Sequence, residues 1–347
     1  MTTDRKETAI LLIYTGGTIG MKEDPVTQAL VPFDFSGIME EVPELRKFGC
    51  RIDSHTFNPL IDSSDVEPSL WQDLACLLKE KYDEYDGFVI LHGTDTMAYS
   101  ASALSFMLGG LAKPVIFTGS QLPIGRPRTD GKENLISAVE IASAKNADGE
   151  AMIPEVCIFF NSCLFRGNRC KKVDASAFGA FDSPNLPPLA EAGINIKYNG
   201  SLIYRQPAGS IFHIYTELDT RVAILKVHPG ITPQVARHIL CDPEIRAAII
   251  ETYGSGNAIS KKWFTDIVAA AAASGKILLN VTQCLAGDVN MDLYATGRAL
   301  KDAGVISGND MTTESALGKL FVLMGKYDDN EEVKRMLSRN LRGEISN

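Results

Sequence analysis

The chain has 347 residues, of which 45% are hydrophobic and 22% charged, a composition typical of a globular protein with room for two domains. Its 43 acidic and 34 basic side chains give a net charge of −9, which argues against a nucleic-acid or anionic-membrane surface because both need a basic excess. Seven scattered cysteines, an odd number, indicate reduced thiols in a cytoplasmic protein and not a disulfide framework.

The sequence also argues against a leader, a membrane span and a zinc site. The polar start MTTDRKET shows no basic region followed by an apolar stretch and a small-residue cleavage site. No apolar run approaches the roughly 20 residues that span a bilayer. The five histidines include no H-x-x-x-H pair, so we expect no zinc.

The first half of the chain alternates predicted strands, polar loops and helices. Aliphatic runs typical of buried strands are AILLIY (9–14), GFVIL (87–91), PVIFT (114–118) and VCIFF (156–160). Helical spacing occurs in PSLWQDLACLLKEKY, after HGTDT and after DGKEN, while NSCLFRGNRCKK is interpreted as a polar loop. The alternation predicts a parallel sheet covered on both faces, with ligands at the carboxyl ends of its strands.

Residues 182–215 are rich in Pro and Gly and are expected to form loops and a connection. The strand–helix alternation then returns, with strands in RVAILKV, AAIIET and KILLNV and helices in TPQVARHIL, KKWFTDIVAAAAA, 292–303 and 312–325. We therefore predict an α/β fold of two domains, each a mainly parallel sheet flanked by helices. The larger, flavodoxin-like N-terminal domain spans 1–205, a linker 206–220, and a smaller C-terminal α/β domain 221–347.

Two threonines follow the first predicted strand, in Thr15-Gly16-Gly17-Thr18. A turn alone would need the glycines for backbone freedom, and that plain interpretation stays open. Hydroxyl residues at the end of a parallel strand suggest instead a hydroxyl held for chemistry. The stretch lacks G-x-G-x-x-G spacing and the chain has no Walker A sequence, which argues against a nucleotide site.

Three further stretches have both a structural and a chemical interpretation: His92–Thr96, Arg166–Lys172 and Asp62–Asp65. Helix capping would explain parts of the first and third, and a solvated basic loop would explain the second. In the chemical interpretation, a threonine nucleophile needs a base, a neutral lysine supplies it, and a carboxylate orients the lysine. Backbone N–H groups of the glycine turn would stabilise an oxyanion. Spacing alone leaves acyl transfer as a hypothesis.

The stretches TGGTIGM and LHGTDTMAYSASAL closely resemble the L-asparaginase family of the bacterial type, in particular its cytoplasmic type I branch. The resemblance extends over nearly the whole chain. It includes DSSD, PVIFTGSQLP, DGKENL, RGNR, DSPNLPPL, YGSGNA and YATGRALKDAGVISGNDMT.

The resemblance implies a reaction and its catalytic residues. Thr18 would attack the side-chain amide of asparagine, release ammonia and leave a β-aspartyl ester, which water would hydrolyse to aspartate. Thr94, Lys172 and Asp95 would form the relay that activates the nucleophile or water. No cofactor and no metal are implied.

The resemblance also implies the binding residues. Asp95 would bind the α-ammonium group of the substrate, and Asp62, Ser63 and Ser64 would form the α-carboxylate pocket. Asn257 matches a residue that family members lend to a neighbouring subunit. The chain is therefore expected to form a homo-oligomer, either a tetramer built from close dimers or a dimer.

Some residues depart from the family pattern. Many members carry a tyrosine on the loop after TGGT, where alignment of QALVPF places Leu30; Tyr294 is the candidate to supply the missing phenol. Some type I members bind asparagine at a second, regulatory site. Lys171 and Glu251 stand where a neutral and a basic residue are expected there, while Cys284 is retained, so the same regulation does not follow.

Two alternatives to an asparaginase stay open. One is related chemistry, either a dual glutaminase-asparaginase or the amidase subunit of a tRNA-dependent amidotransferase. A first strand beginning by about residue 9 counts against the amidase subunit, and Ser64, where some dual-specificity members carry glutamine, favours asparagine. The other alternative is a non-catalytic amino-acid sensor, which the presence of Thr18, Thr94, Asp95 and Lys172 argues against.

Overall fold

The structure is a computed structural model that describes residues 7–23, 30–32 and 38–346. The chain divides into two compact units. Unit 1 extends to Ser183 and continues from Pro187 to Ile214, and unit 2 contains Pro184–Leu186 and the chain from Tyr215 onward.

Unit 1 contains most of the strands that the structure describes. They are β1 (Ala9–Tyr14), β2 (Met21–Glu23), β3 (Leu30–Pro32), β4 (Arg51–Thr56), β5 (Gly87–Leu91), β6 (Leu108–Gly109), β7 (Val115–Thr118), β8 (Val156–Phe160), β9 (Cys163–Arg166), β10 (Lys171–Lys172), β11 (Phe181–Asp182), β12 (Ala190–Ala192), β13 (Ile196–Tyr198) and β14 (His213–Ile214). Its helices are α1 (Ile38–Glu41), α2 (Pro68–Lys81), α3 (Met97–Met107) and α4 (Gly131–Ser143), with 3-10 turns at Thr18–Gly20, Pro43–Phe48, Ser63–Asp65 and Gly167–Arg169.

The main sheet of unit 1 has eight strands in the order β13-β12-β9-β8-β7-β5-β1-β4. Strands β4, β1, β5, β7 and β8 run parallel, so their carboxyl ends meet at one edge. Every residue of β1 and β5 is buried, because aliphatic side chains on both faces of a parallel strand pack against helices. The predicted fold class is confirmed.

The sequence had suggested that the segment after β8 is a polar loop, but part of it forms a strand. Strand β9 pairs antiparallel with β8 and brings Phe160 opposite Cys163. Asn161 and Ser162 form the two-residue turn between them with positive φ values of 47° and 67°. Turns of this kind match the twist of the two strands that they join, and asparagine tolerates the left-handed conformation.

The segment 182–215 was also predicted as loops, and here too short strands are found. Strands β12 and β13 extend the main sheet beyond β9, and β14 pairs with β6. Strands of two or three residues leave no periodic pattern in a Pro-rich sequence, so tertiary pairing and not local propensity determines them.

Unit 2 is built on a parallel sheet in the order β15-β16-β17-β18. Its strands are β15 (Val222–Lys226), β16 (Ala247–Thr252), β17 (Ile277–Thr282) and β18 (Ile306–Ser307). Its helices are α5 (Pro233–Leu240), α6 (Lys262–Ala273), α7 (Ala295–Asp302), α8 (Thr313–Lys326) and α9 (Asn330–Leu337). The sequence did not predict α9, whose N-cap Asp329 accepts a hydrogen bond from Glu331 N–H at 3.0 Å.

Alternation along β16 supplies both cores of unit 2. Ala248 and Ile250 belong to the cluster that contains α5 and α6 side chains, whereas Ala247 and Ile249 belong to the cluster that contains α8 and α9 side chains. Successive side chains of a strand point to opposite faces, so one short apolar run serves two helical layers.

A single arginine joins several elements of unit 2. Arg246 precedes β16, and its side chain is only 12% exposed. Its guanidinium donates to Asp219 Oδ2 at 3.1 Å, Asn330 Oδ1 at 2.8 Å and the carbonyls of Met324, Tyr327 and Asp328 at 2.8–2.9 Å. Hydrogen bonds to Arg221 and to Arg246 hold the pKa of Asp219 down at about 2.

Candidate active site

The first strand ends in a turn that its glycines make possible. Gly16 and Gly17 have φ values of 135° and 88°, which side chains rarely allow. A Cβ on Gly17 would lie 2.5 Å from the Gly93 backbone, and one on Gly16 would lie 2.1 Å from Ile61 O. Three strand-end segments therefore touch through their backbones. Thr18 opens the 3-10 turn directly after this contact and is half-buried.

Tyr14 supports the same turn from below. It is fully buried, and its phenol O–H donates to Gly17 O at 3.3 Å. Gly20 leaves room for the ring, since a Cβ there would lie 2.2 Å from Tyr14 Cζ. Burial raises the pKa of Tyr14 to about 12, so the phenol stays protonated.

The loop after β5 meets the lysine predicted for the relay. Lys172 Nζ donates to Thr94 Oγ1 at 2.8 Å and to Asp95 Oδ1 at 2.7 Å. The lysine side chain is 19% exposed and the aspartate 62% exposed, so the pair borders solvent. Gln121, which sequence analysis missed, receives the Thr94 hydroxyl on Oε1 at 3.4 Å. Its Nε2 donates to Ala177 O beyond Lys172, at 3.0 Å.

The segment Asp62–Ser64 lies against this loop. The Asp62 carboxylate accepts the N–H and the hydroxyl of Ser64, both at 2.9 Å, and these bonds lower the pKa of Asp62. Asp62 therefore caps the 3-10 turn Ser63–Asp65. Capping of the next helix does not explain the stretch Asp62–Asp65, because α2 begins at Pro68 with Glu67 as its N-cap, so neither Ser64 nor Asp65 caps it.

Helix capping does not explain Thr96 either. Thr96 occupies the N-cap position of α3, but its side chain makes no capping hydrogen bond. Its hydroxyl donates instead to Ser63 O at 2.6 Å. Ser63 Oγ in turn accepts a hydrogen bond from Asp95 N–H at 3.4 Å.

His92 belongs to a buried polar chain behind the loop. Its Nδ1 lies 2.7 Å from Gly93 O and carries the proton, because a carbonyl can only accept. Its Nε2 then accepts from the Ser100 hydroxyl at 3.0 Å, which receives Trp71 Nε1–H at 2.8 Å. Burial lowers the pKa of His92 to about 4, so the ring is neutral near pH 7.

The stretch RGNR is not a solvated basic loop. Arg166 and Arg169 are only 6% and 2% exposed. Arg166 Nε donates to Glu155 Oε2 at 2.6 Å in a buried ion pair. Of this basic run, only Lys171 and Lys172 are partly open to solvent.

Two predicted site residues belong to unit 2, outside the group that unit 1 brings together. Asn257 Oδ1 accepts the Thr296 hydroxyl at 2.8 Å, and the Asn257 backbone pairs with Tyr253. Tyr294 is 58% exposed at the N-cap of α7. Thr296 had no signal in the sequence beyond its place in the family stretch YATG.

The three departures from the family pattern have separate settings. Leu30 begins β3, and its side chain lies outside what the structure describes. Lys171 lies opposite Asp182 in the antiparallel register of β10 and β11. Glu251 Oε1 accepts the Thr313 hydroxyl at 2.7 Å, and its other oxygen lies 3.3 Å from Lys226 Nζ.

The described ranges contain neither a candidate metal site nor a membrane-spanning helix. Within residues 7–23, 30–32 and 38–346, no group of three or more His, Cys, Asp or Glu side chains is arranged to hold a metal ion. The helices that the structure describes are all too short or too polar to cross a membrane.

Comparison with known proteins gives concordant matches. The family Asparaginase, N-terminal, matches residues 9–204, and the family Glutaminase/Asparaginase C-terminal domain matches residues 221–337. L-asparaginase 1 of Escherichia coli K12 is 44% identical over 97% of this chain and 98% of its own length. The 60 kDa lysophospholipase of Homo sapiens is 40% identical over 98% of this chain and 62% of its own length.

A solved structure agrees with these matches. L-asparaginase I of Vibrio cholerae is 44% identical, covers 98% of this chain and 99% of its own, and superposes with a TM-score of 0.88. Family matches over both units and full-length identity to a relative show the same ancestry for the whole described fold. The chain belongs to the asparaginase family.

Proposed function

We propose that the protein hydrolyses L-asparagine to L-aspartate and ammonia. The observation that carries this proposal is the placement of Lys172 Nζ within hydrogen-bond distance of both Thr94 Oγ1 and Asp95 Oδ1. Thr94 and Asp95 belong to the loop whose Gly93 touches Gly17, the residue before Thr18. A hydroxyl, a lysine and a carboxylate beside a second hydroxyl are the parts that acyl transfer needs.

The proposed reaction has two halves. Thr18 Oγ1 attacks the side-chain carbonyl of asparagine, a C–O bond forms, and the C–N bond breaks. The proton of Thr18 passes through Thr94 and Lys172 to the departing nitrogen, which leaves as ammonia. Water then attacks the β-aspartyl ester, returns the proton to Thr18 and releases aspartate. Backbone N–H groups of the glycine turn stabilise the oxyanion in both halves.

The substrate would be held by its two charged groups. Asp95, 62% exposed on its side chain, is open to receive the α-ammonium group. Ser63 and Ser64 line the proposed α-carboxylate pocket. Asp62 contributes by orientation, because its lowered pKa keeps it anionic and its oxygens already hold the N–H and hydroxyl of Ser64.

The C-terminal part of the chain would complete the site of a neighbouring copy. We propose Asn257 as the donated side chain, with Tyr294 as the candidate phenol, in a tetramer built from close dimers or in a dimer. The boundaries 1–205, 206–220 and 221–347 stay a prediction, supported by family matches that end at 204 and begin at 221. The fixed amide of Asn257 supports the role, since its Oδ1 is bound by Thr296.

A cytoplasmic location and a cofactor-free reaction belong to the same proposal. All seven cysteines are free thiols, in agreement with a reducing compartment. The net charge of −9 supports the expectation that neither nucleic acid nor a membrane surface is a partner.

The proposal is tested by ammonia release from L-asparagine and from L-glutamine over a wide concentration range. A preference for asparagine over glutamine is expected, because Ser64 stands where some dual-specificity members carry glutamine; one methylene in a pocket is worth only about 1–3 kcal/mol, so the preference should be roughly 10- to 200-fold. Equal turnover of both substrates would indicate a dual-specificity enzyme, and binding without turnover a sensor. A hyperbolic asparagine curve is expected if Lys171 and Glu251 abolish a second asparagine site.

A parallel assay tests for lysophospholipase activity, which the name of the human relative suggests. The described group around Thr94 consists of hydroxyls, an amide, a carboxylate and an ammonium, which suit a short polar amide and not an acyl chain. No fatty-acid release from lysophosphatidylcholine micelles is expected. Release at a rate comparable to ammonia release would contradict the assignment to asparagine.

A further inference from the structure

We propose that Thr96 is a positioning residue that fixes the distance between Asp95 and the carboxylate pocket Asp62–Ser64. The inference rests on the proposed function, because it takes Asp95 and the pocket as the two anchors of the substrate. It assigns a task to a hydroxyl that neither capping nor the relay explains.

Ser63 is gripped from both of its polar ends. Its carbonyl accepts the Thr96 hydroxyl at 2.6 Å, and its Oγ receives Asp95 N–H at 3.4 Å. The same side chain fills the space beside Gly93, where a Cβ would come 2.4 Å from Ser63 Oγ. Ser63 is only 5% exposed, and both of its hydrogen bonds to Asp95 and Thr96 are partly buried.

The Thr96 hydroxyl has one direction in which to donate. A backbone carbonyl cannot donate, so the 2.6 Å bond uses the hydroxyl proton of Thr96. The branched Cβ restricts the rotamers of threonine, which keeps the oxygen aimed at Ser63. The Thr96 carbonyl meanwhile accepts Ser100 N–H at 3.0 Å, which ties the residue to α3. The Thr96 side chain thus ties Ser63 to the first turn of α3.

The spacing of the anchors matters because the two charged groups of an α-amino acid sit on one carbon. A ligand that uses both anchors binds more weakly when their separation changes. A displacement of one anchor by about 1 Å is enough to reduce affinity or rate. A ligand that uses one anchor can shift to follow it. Loss of the Thr96 bond should therefore be felt by two-anchor ligands and tolerated by one-anchor ligands.

The experiment compares wild type, Thr96→Val and Thr96→Ser by calorimetry with L-aspartate and with succinate. Succinate is aspartate without the ammonium group, so the pair isolates the Asp95 anchor. Thr96→Val keeps the shape and removes the donor; it should raise the Kd of L-aspartate about tenfold and that of succinate less than about threefold. The KM for asparagine should rise in parallel with the Kd of aspartate, with kcat changed much less. Thr96→Ser should restore near-wild-type values.

The matched control is Thr118→Val, which removes a different threonine hydrogen bond of unit 1, from the buried Thr118 hydroxyl to Phe159 O at 2.8 Å. If Thr118→Val raises the Kd of L-aspartate as much as Thr96→Val does, the effect is general destabilisation and the proposal fails. Equal weakening of succinate and aspartate in Thr96→Val, or no weakening, would also overturn it. Should the valine variant not fold, Thr96→Ala carries the same prediction.

The outcome separates this inference from the proposed function. A wild type that binds aspartate but releases no ammonia refutes the function, while the calorimetric comparison still tests Thr96. A wild type that turns over asparagine with a Thr96→Val variant of equal KM and Kd refutes the inference alone.

Discussion

The two threonines of the first turn use their hydroxyls differently. Thr15 is 2% exposed, and both its N–H and its Oγ1 donate to Leu91 O at 3.0 Å, which ties β1 to β5. Thr18 is half-buried at the start of the 3-10 turn. The hydroxyl of Thr15 is therefore committed to the sheet, which leaves Thr18 as the proposed nucleophile.

Replacing these threonines should separate stability from turnover. Thr18→Ala is expected to abolish ammonia release while leaving the thermal unfolding midpoint unchanged, because it removes the proposed nucleophile. Thr15→Val should lower the free energy of unfolding by about 1 kcal/mol, the net worth of one hydrogen bond, and retain turnover. Near-normal ammonia release by Thr18→Ala, or its unfolding, would sink the assignment.

The Tyr14 phenol offers a second prediction. Tyr14→Phe keeps the ring that Gly20 accommodates and removes the O–H that donates to Gly17 O. We expect kcat to fall by roughly three- to tenfold with little change in KM, since the bond steadies the turn before Thr18 and not the binding groups. Tyr85→Phe is the control, because the Tyr85 hydroxyl donates to Asp53 at the opposite end of the strands. Comparable kcat losses in both variants would argue against a positioning role for Tyr14.

At the scale of the elements, hydrogen bonds of buried polar side chains connect helices and strands that otherwise only pack through aliphatic side chains. The chain from Trp71 through Ser100 to His92 links α2, α3 and the end of β5. Arg246 does the same for β16, α8 and α9. The His92 hydrogen bonds require a neutral ring, and the Arg246 hydrogen bonds require a planar guanidinium. The first can be tested by pH and the second by substitution.

Acid should weaken unit 1 through His92. Its folded pKa of about 4 lies below its ordinary value, so below pH 6.5 the unfolded chain binds a proton that the folded chain refuses. The free energy of unfolding should therefore fall between pH 6.5 and 4, by up to about 3 kcal/mol from this group. Urea unfolding of wild type and His92→Gln across that range should converge at low pH. Parallel curves for the two proteins would mean that His92 does not titrate as described.

Arg246→Lys should destabilise unit 2. Lysine cannot reproduce the planar fork that reaches an aspartate, an asparagine and three carbonyls, so we expect a loss of about 2–4 kcal/mol in urea unfolding. Arg221→Lys is the matched control, because the Arg221 side chain is 59% exposed and its pair with Asp219 borders solvent. Its loss should stay within about 1 kcal/mol. Losses of equal size would show that the five bonds of Arg246 contribute no more than a surface pair.

The same elements show what sequence could and could not give. Strands β1, β5, β7 and β8 were predictable because aliphatic runs at this length suit parallel strands, and the helices after them because of their apolar spacing. The turn at Asn161 and Ser162 was missed because NSCLFR has no strand pattern of its own. Strand β9 forms only by pairing with β8, and sequence does not show that pairing. Burial of Arg166 and Arg169 was missed because charge patterns favour solvent, and only the folded structure supplies Glu155 as a partner.

At the scale of the molecule, the proposal that Asn257 completes the site of a neighbouring copy predicts complementation between two inactive variants. Thr18→Ala and Asn257→Ala should each be nearly inactive, yet mixed oligomers formed by co-expression would contain sites with an intact Thr18 and an intact Asn257 from the other copy. About a quarter of wild-type activity is expected if pairing is random across a two-fold interface. Activity no greater than the sum of the separate variants would mean that each chain completes its own site.

The short segment Pro184–Leu186 has a practical consequence for cutting the gene. Asn185 donates to Gly287 O at 3.2 Å and to Asp310 O at 3.1 Å, and it accepts Gly287 N–H at 2.8 Å, so the chain visits unit 2 before it enters it for good at Tyr215. If the gene is divided within 206–220 to produce two fragments, the N-terminal fragment carries the Asn185 amide. The C-terminal fragment would lack three hydrogen bonds until the halves meet, which makes reassembly itself the event that completes its fold.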